Sequence, residues 1–270
     1  MNRVFCFLLA CILLFGLTAC GRKPPEPETT APPTTEATEA PTTQATVPPT
    51  TEPTQPPTEE PTQPPLVLHS GLREDGSFSG GTLFIGDSLT FQLVYGLLMP
   101  KGCIGDARYI AVAGSQITAF FDGTRVACNA ATTLASPEFD GMLFSEAAGS
   151  LGAEATAIYL MWGTNYTKDA SAQDYIDILD YLLAACPNAT IHLQLVPYAK
   201  DIIPYEIINQ RILSAFSHYQ ETGEQRVVLL DTFTGIGERV SSDGVHLSDP
   251  GKEKWYETIL AHAELLELPE

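Results

Sequence analysis

Residues 66–270 are expected to form an α/β domain, a three-layer α/β/α sandwich built on a parallel sheet, and three observations lead there. Short apolar runs alternate with amphipathic stretches from Gly80 onward. Several of those runs are continuously apolar, as suits parallel strands covered on both faces. The polar motifs that could carry chemistry all fall just after the runs, where the carboxyl ends of such strands gather ligands.

In chain order, the strand candidates are Leu83–Ile85, Tyr109–Val112, Ala157–Met161, Ile191–Val196 and Val227–Leu230. A helix is expected from Leu89 to Leu98, directly after the first strand. Ser171 and Asp174 resemble a capping box, and Tyr175, Ile176, Leu179, Leu182, Leu183 and Cys186 then recur at helical spacing until Pro187 and Asn188 end the run. A further helix is expected from about Tyr205 to Tyr219. The last opens near Asp249-Pro250, proline being suited to a first turn, and offers Trp255, Tyr256, Ile259, Leu260 and Ala263 for burial.

The chain before this domain reads differently. Residues 1–20 have a basic Arg3, an unbroken apolar stretch from Val4 to Leu17, and then Thr18-Ala19-Cys20. The stretch is shorter than the roughly 20 residues that span a bilayer, so it reads as a secretory signal. Leu17-Thr18-Ala19-Cys20 resembles a bacterial lipoprotein box, which makes Cys20 the expected lipidation site and the outer face of the cytoplasmic membrane the expected location. Residues 21–65 are dominated by proline, threonine and glutamate, and Glu52-Pro-Thr-Gln-Pro-Pro57 recurs as Glu60-Pro-Thr-Gln-Pro-Pro65. With no aromatic residue and Val47 as its one branched aliphatic, this segment cannot offset its ordering entropy and is expected to be a disordered spacer. In extended polyproline II, at about 3.1 Å per residue, it reaches on the order of 100 Å.

The formal net charge of −19 disfavours nucleic acid and anionic surfaces as partners. Residues 66–270 stay acidic, with 11 Lys and Arg against 26 Asp and Glu. They hold three of the six cysteines, of which Cys103 and Cys128, both in loop-like stretches, form the better disulfide pair. Cys186 reads as a small buried hydrophobe. There is no paired-cysteine motif, no His-Glu-x-x-His and no phosphate-cradling glycine loop, so neither metal nor cofactor is expected.

Two distant motifs point to chemistry. Gly86-Asp87-Ser88-Leu89-Thr90 puts Ser88 at a strand exit, where outward backbone N–H groups favour a developing negative charge. Asp243-Gly244-Val245-His246 supplies a carboxylate and an imidazole close enough for one to orient the other. A serine hydroxyl is a poor nucleophile until such a base activates it. Together they read as a serine esterase.

These residues resemble the GDSL or SGNH hydrolases, a family of esterases and lipases with a flavodoxin-like sandwich. Gly86-Asp87-Ser88-Leu89 matches the nucleophile block and Gly114, in Ala113-Gly114-Ser115, the glycine block. Gly163-Thr164-Asn165 matches the asparagine block and Asp243-Gly244-Val245-His246-Leu247 the final Asp-x-x-His block. Tyr166 departs from the family, which often has Asp there. The resemblance implies Ser88, His246 and Asp243 as catalytic triad, with the Ser88 and Gly114 N–H groups and the Asn165 side-chain amide as oxyanion hole. The Gly-x-Ser-x-Gly elbow of the other large esterase fold is absent.

Plainer roles compete for each residue. Ser88 could cap a helix, His246 could sit on an ordinary Asp-Gly turn, and Asp231 is a rival triad acid. His192, His218 and His262 read as structural, while Phe91, Tyr95, Trp162 and Tyr166, aromatic residues near the motifs, could stack on a sugar but read rather as core or rim. The leading expectation is an anchored hydrolase removing short acyl groups, acetyl first, from carbohydrate or cell-wall glycan. The same triad also suits a long-chain lipase or thioesterase, or an acyltransferase. A non-catalytic glycan-binding lipoprotein is the reading from another class, and the intact set of Ser88, Asp243, His246 and Asn165 argues against it.

Overall fold

The computed structural model describes residues 66–165, 168–198, 200, 204–238 and 243–266. The signal segment, Cys20, the 21–65 spacer and Tyr166 lie outside the described residues. Among the described residues six strands form one sheet: β1 (Thr82–Gly86), β2 (Arg108–Val112), β3 (Thr133–Ala135), β4 (Ala157–Met161), β5 (Thr190–Gln194) and β6 (Val227–Leu230). Their spatial order is β3-β2-β1-β4-β5-β6. All neighbours pair in parallel except β2 and β3.

A wholly parallel sheet is therefore corrected to a mixed one. Thr133–Ala135 is three half-buried residues, too short for periodicity to reveal. A 3₁₀ turn at Ile117–Phe120 is the regular structure between β2 and β3. Without a crossover helix to carry the chain back to the start of β2, it returns antiparallel. The five parallel strands, counted among themselves, follow the 2-1-3-4-5 order of doubly wound sheets, whose direction switches between β1 and β4.

The helices are α1 (Ser88–Leu93), α2 (Met99–Lys101), α3 (Phe144–Gly149), α4 (Ala172–Ala185), α5 (Tyr205–Thr222), α6 (Thr232–Ile236) and α7 (Asp249–Leu266). The single helix expected over Leu89–Leu98 is instead α1 running into a π-helical turn at Val94–Leu98. Ser171 does cap α4, accepting from Gln173 N while Asp174 accepts from Ser171 N. Helix α7 packs on α1 and α6, and α4 on α3 and α5. Strands β1, β4 and β5 are buried along their whole lengths, which accounts for the apolar runs of β1 and β4, whereas β5 buries the polar Thr190, His192 and Gln194 against hydrogen-bond partners. Among the described residues no helix is long and apolar enough to cross a membrane.

The expected disulfide is not formed, and Cys103, Cys128 and Cys186 are all free. The first two are held by different neighbours. The Cys103 carbonyl accepts from Phe78 N, whereas Cys128 N donates to Asp140 Oδ1 and its thiol faces the Ser136 carbonyl.

One row of rings crosses three strands. Phe84, Tyr159 and His192 stand in register on β1, β4 and β5. Tyr159 stacks on Phe84 at 5.0 Å and on His192 at 4.3 Å between centroids. His192 Nε2 donates to the His69 carbonyl at 2.9 Å, and its Nδ1 is buried with no partner among the described residues. Burial, helped by nearby His262, pushes the imidazole down to about 3. The unfolded chain then binds the extra proton between pH 6.5 and 3, so stability is complete above that window and falls as pH drops through it. Each such proton is worth about 1.4 kcal/mol per pH unit. Denaturant melts at pH 7 and pH 5 are expected to show this loss, and His192→Phe is expected to flatten it. Equal slopes in both proteins would show that His192 does not govern it.

Candidate active site

Strand β1 ends in Gly86, and two glycine positions show what the local backbone requires. A Cβ on Gly86 would lie 2.0 Å from the Met161 carbonyl and 2.2 Å from Thr90 Oγ1, so only glycine lets β1 pass β4 this closely. Gly114 has φ +80°, and nothing lies within 4 Å of where its Cβ would point. That position combines a left-handed backbone with open space beside it.

The chain turns at Asp87, whose Oδ1 accepts from Leu89 N at 3.0 Å and caps α1. Ser88 is thus the first residue of the helix and is half-buried. Its Oγ lies 3.1 Å from His246 Nε2. On the other side of the ring, His246 Nδ1 lies 2.6 Å from Asp243 Oδ2. A carboxylate only accepts, so Nδ1 carries the ring proton and Nε2 presents a lone pair to the serine hydroxyl.

Asp243 is itself held by its own turn. Its Oδ1 accepts from Val245 N at 3.0 Å and His246 N at 2.9 Å, which leaves Oδ2 aimed at the imidazole. The side chains of Asp243 and His246 are 51% and 35% exposed, so the relay opens to solvent on this side. A further tie comes from α1, where Gln92 Oε1 accepts from Leu247 N at 3.1 Å. Helix α1 therefore carries the serine and steadies the histidine loop together.

Asn165 follows β4. Its Nδ2 donates to the Ser115 carbonyl at 2.9 Å, the same oxygen that Trp162 Nε1 reaches at 3.2 Å. The amide has a second N–H beside it. This bond ties the asparagine loop to the loop that carries Gly114, while Asp87 Oδ2 accepts from Gly163 N, Thr164 N and Thr164 Oγ1. Nucleophile, glycine and asparagine loops are thus linked at the β1/β4 switch point.

The structure brings Ser88, His246 and Asp243 into one hydrogen-bonded chain and joins Asn165 to the residue after Gly114. Asp231 is not part of it, being the cap of α6 that accepts from Thr234 N. Trp162 is buried behind the site and unavailable to a sugar, and Phe91 and Tyr95 pair 5.8 Å apart with Tyr95 exposed. Asp87, Thr164, Gln92 and the Ser115 carbonyl received no role from the sequence. The one available signal was Asp87's place directly before a serine that starts a helix. Among the described residues no group of three or more His, Cys, Asp or Glu could hold a metal ion.

No family model matches the chain, and no curated protein matches it. Solved structures do resemble it. A carbohydrate esterase family 3 from Talaromyces cellulolyticus is 16% identical, with 69% of this chain and 97% of that one covered at a TM-score of 0.47. A GDSL-like lipase from Bacteroides thetaiotaomicron is 15% identical, with 68% and 87% covered at 0.44. An aryl esterase of M. smegmatis is 16% identical, with 68% and 97% covered at 0.41. Likeness at this level carries no functional weight, which rests on the residues themselves.

Proposed function

We propose that the chain is a serine esterase of the GDSL/SGNH type that removes short acyl groups, acetyl foremost, from carbohydrate or cell-wall glycan. The observation that carries this reading is the relay from Ser88 Oγ through His246 to Asp243, at 3.1 and 2.6 Å. Ser88 Oγ attacks the ester carbonyl as His246 Nε2 takes its proton. The carbonyl oxygen becomes an oxyanion met by the N–H groups of Ser88 and Gly114 and by the Asn165 amide. As this intermediate collapses, the ester C–O bond breaks and His246 returns the proton to the departing alcohol. Water, deprotonated by the same imidazole, then attacks the acyl-serine and releases the carboxylic acid and Ser88. Asp243 holds the ring tautomer and stabilises its cation throughout.

The short-acyl part rests on a small hollow against Asn165. Ile117, Ala170 and Ile208 give it apolar walls, with Gly163, Tyr175 and Arg211 completing the lining. Its volume is about 220 Å³ including the open mouth, and little more than one water-sized group fits inside. An acyl substituent leaves the same carbon whose oxygen Asn165 meets, so it must lie nearby. On this reading the hollow receives the acyl substituent, and its size favours a methyl group over a long chain. The glycan part rests on context: the lipoprotein-like sequence around Cys20 and the proline-, threonine- and glutamate-rich composition of residues 21–65 suit a wall-associated enzyme on the outer face of the cytoplasmic membrane.

The test is turnover of p-nitrophenyl esters of increasing chain length by the purified chain, followed by acetylated glycans. Each methylene beyond what fits is expected to lower kcat/KM on the order of tenfold. Ile208→Ala, which removes a wall, is expected to shift the preference toward butyrate. Octanoate turned over as fast as acetate would overturn the short-acyl assignment and favour a lipase.

A further inference from the structure

Asp87 is fully buried, yet it does more than cap a helix. A cap needs one oxygen, which is Oδ1 on Leu89 N, and losing such a cap costs about 1 kcal/mol. Oδ2 faces a different part of the chain. It accepts from Gly163 N at 3.2 Å, Thr164 N at 2.9 Å and Thr164 Oγ1 at 2.5 Å, all in the turn directly before Asn165. Burial pushes the carboxyl above the usual carboxylate range, while the bonds from Thr164, Leu89 and Gly163 pull it down. Four donors converge on its two oxygens, an arrangement that matches the ionised acceptor.

We propose that Asp87 is a positioning residue that couples the Ser88 turn to the Asn165 loop and so sets where the oxyanion donors stand relative to the nucleophile. The coupling rests on the esterase reading above, since Asn165 matters only if an oxyanion forms. One carboxylate bonds the residue that follows the nucleophile and the two that precede the asparagine. Any drift between the β1 and β4 loops must stretch those bonds. Neighbouring contacts support the same frame: Tyr175 Oη donates to the Trp162 carbonyl at 2.9 Å, one residue before Gly163. An interaction needed only in the transition state changes kcat and leaves KM nearly constant.

Asp87→Asn replaces one acceptor by a donor among groups that already donate, so the clamp must open on one side. The expected result is a fall in kcat of about 10- to 100-fold, with KM within about twofold, bounded by the loss of a whole oxyanion donor. The decisive measurement is a double-mutant cycle with Asn165→Ala. If Asp87 acts through Asn165, Asp87→Asn costs less than about threefold in that background. A merely structural residue costs the same in both backgrounds. Amide hydrogen exchange at Gly163 and Thr164 is expected to quicken in Asp87→Asn, and this reads the clamp whether or not any ester is turned over. Thr164→Val, which removes the hydroxyl donor alone, gives a milder loss and carries the same cycle should Asp87→Asn fail to fold. A chain that hydrolyses no ester overturns the esterase reading. Additive losses in an active chain, or unchanged exchange, overturn the coupling itself.

Discussion

Ser88→Ala is expected to lower kcat on p-nitrophenyl acetate on the order of 10⁶-fold, leaving the rate supplied by binding and the remaining oxyanion donors. Ser88 Oγ is the atom 3.1 Å from His246 Nε2, and without it no acyl-enzyme can form. The fold should tolerate the change, because alanine is at home in a first helical turn and Asp87, not Ser88, caps α1. Circular dichroism and melting should therefore match the wild type. A stoichiometric label from a fluorophosphonate probe on the wild type, and none on the variant, would identify the nucleophile directly. Activity surviving in the variant at more than a few per cent would assign the nucleophile elsewhere and sink the triad.

Asp243→Asn should cost about 10⁴-fold in kcat, for a reason that lies in the imidazole tautomer. An asparagine can keep its oxygen on Val245 N and His246 N, where Asp243 Oδ1 accepts now, so the turn survives. Its amide nitrogen then faces His246 Nδ1 and donates to it. The ring proton moves to Nε2, which can no longer accept from Ser88. The melting temperature should shift little, and the loss should appear in kcat far more than in KM. A loss smaller than tenfold would mean that Asp243 does not orient the base. Because Asp231 caps α6, Asp231→Asn should leave the rate near wild type and serves as the control.

Much of the site was legible in the chain because its determinants are local. Ser88, Gly114 and Asn165 each lie two to four residues after the end of a strand, and parallel strands put all such positions on one edge. Asp243 and His246 share one turn, so their contact needs only that turn to close. The capping box at Ser171 and the helices α5 and α7 were readable for the same reason, being repeats and caps within one segment. Segments whose structure depends on a distant partner were not readable. The strand β3 has three half-buried residues and exists because β2 offers an edge, and Cys103 and Cys128 stay apart although both lie in loops.

The sequence alone determined the doubly wound alternation of elements, the order of the four motifs and which residues stand as candidates to attack, accept a proton and stabilise an anion. Only the tertiary structure decided that Asp87 bridges two loops, that Trp162 backs the site instead of facing a sugar, and that the hollow beside Asn165 is small. The physical reason is register. Asp87 meets Thr164 because β1 pairs with β4 so that Gly86 lies beside Met161, and that pairing is set by packing across the whole sheet. No periodicity within one segment encodes a contact between residues 77 positions apart.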